Sequence, residues 1–465
     1  MSTMLRVFVA AALAVGLPGL APLPAASAER PPAIDDSLLP PPAPPKPHTP
    51  TEKQSDCTTA IFDGQLNPTA TQLTPFDLPA LWALTTGDGQ KVAVIDTGVS
   101  THPRLPRLIP GGDYVSTGDG REDCDAHGTL VAGIIAATPE SDGFAGIAPG
   151  VSVITIRQSS VKYGPVGGRS FGVGDVDTLA MAVRTAADLG ATVINISSVA
   201  CTAGAALRDR ALGAAVAYAV DAKDAVMVVA AGNVGPGGNC PQQNPAPDPA
   251  RRPEPDWETA DVAVSPGWYD DYVLTVGSVS TDGSPSTFSL AGPWVDVAAP
   301  GEAVVSLNPD HTGVANAYRS GTGSAIAGTS YAAPVVSGLA ALVRARFPDL
   351  SARQVMQRIE ATAHRPPDGW DPYVGNGVVD PLAALTDGRP SAPPSWAQRP
   401  VAPSAPPPPR ETSGRSTAFT GVAGCAAFLA AALALISPAN RLARRHRGAG
   451  QRDSARVGRH TVVRD

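Results

Sequence analysis

Three short segments constrain this chain more than anything else in it: Val94-Ile95-Asp96-Thr97-Gly98, His127-Gly128-Thr129 and Gly328-Thr329-Ser330-Tyr331-Ala332-Ala333-Pro334. Together they supply an acid, a base and a nucleophile, in that order. A serine hydroxyl is a poor nucleophile at neutral pH and needs an adjacent base. A fold that uses all three must therefore bring remote parts of the chain to one place. The same constellation occurs on unrelated folds in different chain orders, so the order Asp, His, Ser is itself informative.

The sequence between these segments reads as alternating strands and helices. Lys91–Asp96, Val151–Ile156, Thr192–Ser197 and Ala225–Ala230 are short apolar runs rich in β-branched residues, the pattern of buried parallel strands. Between them Val173–Leu189 and Ala205–Val220 carry apolar residues at helical spacing, and Tyr272–Val276 and Trp294–Ala298 add two later strands. This alternation predicts an α/β sheet with helices on both faces. Ligands bind such sheets beyond the carboxyl ends of the strands. Asp96 falls at one such end, and Asn233 falls just beyond another. Ser330 opens a helix expected from Tyr331 to about Arg346, with Pro334 in its first turn, where a missing N–H costs little. Gln158–Gly174 is Gly-rich and Val234–Trp257 is Pro-rich; irregular stretches of this length rim clefts or dock partners.

Each candidate has an ordinary reading beside the chemical one. Ser330 alone would be a helix cap, and Asn233 alone a turn residue after Gly232. Asp-Thr-Gly also occurs in aspartic proteases, but those need a paired aspartate, and no second Asp-Thr-Gly or Asp-Ser-Gly is present. Of the seven histidines, His127 alone precedes a helical pattern of small residues. His102-Pro103 reads as a surface turn without a catalytic role.

With Ala230-Ala231-Gly232-Asn233 as a fourth element, the stretch from about Leu78 to Ala384 resembles the subtilase family of serine proteases. The resemblance implies a subtilisin-like three-layer α/β fold with a mainly parallel central sheet. It implies Asp96, His127 and Ser330 as the catalytic triad and Asn233 as the oxyanion-hole donor, with the Ser330 backbone N–H as companion. One segment departs from the family. Subtilases usually carry a Ser-Leu-Gly-Gly type sequence along the substrate cleft, where this chain has Ser197-Ser198-Val199-Ala200-Cys201. The missing glycines leave a branched Val199 near the expected pocket, which points to a narrow or unusual P1 preference.

The chain has 465 residues, enough for one large enzymatic domain with appendages. Residues 1–28 read as a secretory signal: Arg6 precedes an apolar run, and Ala26-Ser27-Ala28 fits the small-residue cleavage rule. Residues 29–77 form a Pro-rich N-terminal extension, 78–386 the peptidase domain and 387–416 a Pro-rich linker. Thr417 to Ile436 carries no charge and has the length of a transmembrane helix; Arg441, Arg444, Arg445 and Arg447 follow, putting the basic tail, 437–465, in the cytosol. A net charge of -7 gives no reason to expect a nucleic-acid partner.

These ends narrow the resemblance to the mycosins, membrane-anchored proteases associated with type VII secretion in actinobacteria. That implies protein substrates, with type VII secreted proteins as candidates, and a place in the secretion membrane complex. Proteolysis or a stabilising structural role could dominate there. It also implies that the extension from Glu29 wraps the catalytic domain, unlike the compact propeptide of a typical subtilase. Cys57, Cys124, Cys201 and Cys240 lie in the expected exterior domain, and four cysteines allow three pairings. No C-x-x-C pair supports zinc. The mycosin resemblance implies Cys57–Cys124 and Cys201–Cys240. Asp119, Glu122, Asp123 and Asp125 cluster before His127; their spacing matches no calcium motif, and they read as a solvated acidic loop. No metal and no cofactor is expected.

Overall fold

The computed structural model describes residues 30–64, 71–168, 172–203, 207–246, 254–319 and 324–386. The expected signal, linker, transmembrane segment and basic tail lie outside the described residues. Among the described residues, no helix is long and apolar enough to cross a membrane.

Seven strands form a single parallel sheet: β1 Lys91–Asp96, β2 Leu108–Asp113, β3 Ser152–Arg157, β4 Val193–Ile196, β5 Val226–Ala230, β6 Leu274–Val279 and β7 Val297–Pro300. Their spatial order is β7-β6-β5-β4-β1-β3-β2, with every neighbouring pair parallel. Consecutive strand residues point to opposite faces, yet Val92, Ala93, Val94 and Ile95 are all fully buried. Both faces are therefore covered, as parallel sheets require. After the short α1 Leu78–Leu84, α2 His127–Ala136 packs on one side of the sheet with α5 Thr329–Arg346, which crosses β4, β5, β6 and β7. Against β1, β3 and β4 lies α3 Val176–Asp188, paired with α4 Arg210–Ala217. The start of α3 is fixed by a reciprocal capping box between Asp175 and Thr178.

The expected strands are present with shifted ends, and β1 matches its expected bounds. One strand of this sheet has no counterpart in the sequence reading. Strand β2 contains Pro110, Gly111 and Gly112 and carries a register shift between Pro110 and Gly112. It survives as an edge strand, where proline leaves no ladder bond unmade.

Short antiparallel pairings tie the N-terminal residues to later loops. Thr51–Lys53 pairs with Tyr163–Pro165, inside the Gly-rich stretch, and Ala60–Ile61 pairs with Ala317–Tyr318. Ala200–Ala203 pairs with Val262–Ser265. Disulfides join Cys57 to Cys124 and Cys201 to Cys240, the pairing the mycosin resemblance implies.

Candidate active site

Asp96 ends β1, and its side chain is fully buried. Its Oδ1 accepts the Thr97 N–H at 2.8 Å and lies 2.7 Å from Nδ1 of His127, the first residue of α2. A carboxylate accepts only, so the proton of a neutral imidazole sits on Nδ1 and Nε2 is left as a base. Two glycines permit this approach. A Cβ on Gly98, at φ +102°, would lie 2.0 Å from the Glu122 carbonyl oxygen, and one on Gly128 would lie 2.0 Å from that of Gly98.

The acidic stretch before His127 is not a solvated loop, which corrects the sequence reading. Asp123 Oδ1 accepts the Thr97 hydroxyl at 2.8 Å, and its Oδ2 accepts the Thr129 N–H and hydroxyl at 2.8 and 2.6 Å. Thr97 Oγ1 in turn accepts the Gly128 N–H at 3.0 Å. One carboxylate thus clamps the Asp96 segment to the His127 segment. Asp125 is buried and accepts the Val161 N–H at 2.9 Å. Asp119, paired with Arg121, and Glu122 reach solvent as expected, while Asp123 is half-buried. Burial pushes the Asp123 carboxyl up to about 6, against the pull of its hydrogen bonds. Burial draws the His127 imidazole down, but its bond to Asp96 and the charges of Asp96, Asp123 and Asp125 outweigh this, and it titrates above its ordinary 6.5.

Ser330 is the second residue of α5. Its hydroxyl donates to the Ser197 carbonyl at 2.9 Å, and the Ser197 hydroxyl donates back to the Ser330 carbonyl at 2.9 Å. That second bond corrects the placing of Pro334. The proline sits in the second turn of α5, where its missing N–H would have bonded Ser330; the Ser197 hydroxyl takes that place. A buried relay extends behind it, Ser337 donating to Asn195 at 2.8 Å and Asn195 to Ser197 Oγ at 2.9 Å. To pass its proton to His127, the Ser330 hydroxyl must turn away from Ser197.

Asn233 follows β5 as expected. Its Oδ1 accepts both the N–H and the hydroxyl of Thr329 at 3.0 Å, so its Nδ2 is the free end of the amide. Asn233, His127 and Ser330 line one cleft of about 770 Å³. Val199 lines it too, as do Val161 and Gly172 from the Gly-rich stretch and Asn239 from the Pro-rich one. His102 has no place there: its Nδ1 accepts the Arg104 N–H at 3.1 Å, and burial lowers its pKa.

Two further residues of the site escaped the sequence reading. The buried Tyr331 ring stands 5.2 Å from the His127 ring, and its hydroxyl is hydrogen-bonded to that of Tyr318. Tyr331 adjoins the nucleophile in the motif, so position marked it, but Tyr318 had no signal. The threonines of Asp-Thr-Gly and His-Gly-Thr were visible as motif members without a role.

The assembled groups can activate a hydroxyl and stabilise an oxyanion. A family model described as the subtilase family matches residues 87–377. Mycosin-4 of Mycobacterium tuberculosis (strain H37Rv) is 57% identical over 452 residues, covering 94% of this chain and 96% of that relative. The solved structure of the MycP3 protease from the type VII (ESX-3) secretion system aligns with a TM-score of 0.72 and 43% identity, over 77% of this chain and 100% of that one. A chain in the structure of an intact ESX-5 inner membrane complex aligns with a TM-score of 0.71 and 44% identity, over 88% of this chain and 100% of that one.

Proposed function

Because the chain belongs to the subtilase family, in its mycosin branch, we propose that Asp96, His127, Ser330 and Asn233 carry its chemistry. The protein is a serine-type endopeptidase with a subtilisin-like α/β fold. The observation that carries the assignment is the 2.7 Å contact from Asp96 Oδ1 to His127 Nδ1, on the same cleft as Ser330 and Asn233. His127 Nε2 takes the hydroxyl proton as Ser330 Oγ bonds to the scissile carbonyl carbon. Negative charge then develops on the carbonyl oxygen, within reach of Asn233 Nδ2 and the Ser330 N–H. The tetrahedral species collapses, the amine leaves with the proton from His127, and water repeats the sequence to free Ser330.

The pH dependence follows with a definite sign. His127 serves as base only when neutral, and its pKa is raised, so activity is lost as pH falls through a value above 6.5. Replacing Asp123 by Asn removes one of the charges that raise that pKa, so the acid limb should move down. The pH profile of the rate of fluorophosphonate labelling checks both statements. A limb below 6.5 in the unaltered protein would contradict them.

Val199 in the cleft wall supports a preference for small P1 side chains. A peptide scan led by large aromatic P1 residues would overturn that preference.

The apolar segment Thr417 to Ile436, with arginines after it, supports an extracytoplasmic peptidase domain held by one helix. The likeness to a chain of an ESX-5 inner membrane complex supports a place in a type VII secretion assembly, with secreted proteins of that pathway as substrates. A purely structural role there makes a different prediction. Cells carrying Ser330→Ala at normal protein level should lose substrate processing under the proteolytic reading. Retention of processing would remove Ser330 from the role given to it. Secretion that persists while processing is lost would assign export to the scaffold.

A further inference from the structure

We infer that the Cys201–Cys240 disulfide is a positioning element for the oxyanion donor, holding the turn that presents Asn233 against the wall of the cleft. The inference rests on the proposed role of Asn233. Gly232, at φ +98°, is covered by both sulfurs: a Cβ there would lie 2.7 Å from Cys240 Sγ and 3.3 Å from Cys201 Sγ. Asn233 is thus the first residue beyond the disulfide contact.

Its backbone is held on both sides by the returning strand of the same loop. The Cys240 N–H donates to the Asn233 carbonyl at 2.9 Å, and the Asn233 N–H donates to Asn239 Oδ1 at 3.4 Å. Asn239 Nδ2 donates onward to the Val199 carbonyl at 2.9 Å. Between them run Gly235, Pro236, Gly237 and Gly238, whose three glycines have little conformational preference of their own. The fixed end of the tether is Cys201, which pairs across to Val264 in a cluster that includes the buried Val262, Leu290 and Trp294.

The Asn233 side chain has a separate anchor, Thr329, at the start of α5. One anchor orients the amide and the other holds its main chain. A hydrogen-bond donor in an active site has to be held within about 0.5 Å of its productive place to keep its effect. On its other side the turn lies against a buried segment, the Val234 N–H donating to the Phe288 carbonyl at 2.8 Å and the Leu290 N–H to the Gly232 carbonyl at 3.0 Å. On the loop side its ties are exposed hydrogen bonds, and the disulfide is the covalent one that fixes that side.

The test is a double-mutant cycle on the full chain, read as the second-order rate of labelling by a fluorophosphonate, whose phosphoryl oxygen fills the oxyanion position. Removing the disulfide as Cys201→Ala with Cys240→Ala should slow labelling about tenfold or more, up to the roughly 10²–10³ that loss of the donor itself costs. The same pair introduced beside Asn233→Ala should cost less than about twofold, because the group being positioned is gone. Equal losses in both backgrounds, or no loss in either, would overturn the inference. Asn239→Ala changes an exposed residue and leaves the disulfide in place, so it tests the same tie without endangering folding. It should show the same background dependence with a smaller loss, and an equal loss in both backgrounds counts against the proposal. Should Asn233→Ala alone label at the unaltered rate, the role of Asn233 fails first and the inference falls with it.

Discussion

Asp96→Asn should lower kcat by about 10⁴ at neutral pH with little change in KM, the scale on which triad carboxylates act elsewhere. The geometry gives the reason. Asp96 Oδ1 accepts from both the Thr97 N–H and His127 Nδ1, while Oδ2 is buried without a hydrogen-bond partner among the described residues. An asparagine oxygen at Oδ1 would leave its NH₂ as a buried donor with no acceptor, at a cost of about 1–3 kcal/mol. Turned over, the amide meets the Thr97 N–H and His127 Nδ1 with donors. Nδ1 must then accept, the proton moves to Nε2, and the imidazole faces Ser330 with a hydrogen where it needs a lone pair. Pre-steady-state acylation on a peptide ester measures the loss. A fall of less than about tenfold would show that the carboxylate does not set the tautomer.

The second large effect belongs to Asn233. Asn233→Ala should cost about 10² to 10³ in kcat, the usual worth of one preorganised oxyanion donor. Alanine also strips two hydrogen bonds from Thr329 at the start of α5, so part of the loss could be structural. Asn233→Asp separates the two effects. It keeps an oxygen for Thr329, removes the donor, and sets a negative charge beside the developing oxyanion. The aspartate variant should therefore hold the thermal stability of the parent and lose at least as much rate as the alanine variant. A stable Asn233→Asp protein with near-parental kcat would take the oxyanion role away from Asn233.

Strands buried on both faces leave an uninterrupted apolar run, so β1, β3, β4 and β5 stood out in the sequence. The edge strand β2 did not, because Pro110, Gly111 and Gly112 carry the signature of a turn and only the neighbouring β3 makes them a strand. Asp96, His127, Ser330 and Asn233 were found through their immediate neighbours, whose small residues permit the close approaches seen at Gly98 and Gly128. The supporting contacts are long-range. Asp123 looked like one more surface acid, since nothing local shows that Thr97 and Thr129 close over it. Pro334 looked harmless in a first turn; its place in the second turn became evident only with the Ser197 hydroxyl on the Ser330 carbonyl. Tyr318 reaches the site from a strand paired with Ala60–Ile61, a juxtaposition made by topology alone.

Whether Ser330 is the activated nucleophile of this cleft is tested most directly by mapping a covalent adduct. The full chain would be treated with a fluorophosphonate at a pH on the upper plateau of its labelling profile, where the base is neutral, then digested, and its peptides sequenced by mass spectrometry. One adduct per chain is expected, on Ser330, formed at a rate that collapses in Asp96→Asn. A folded chain that leaves Ser330 unmodified, or that carries the adduct on Ser197 or another serine of the cleft, would contradict the assignment.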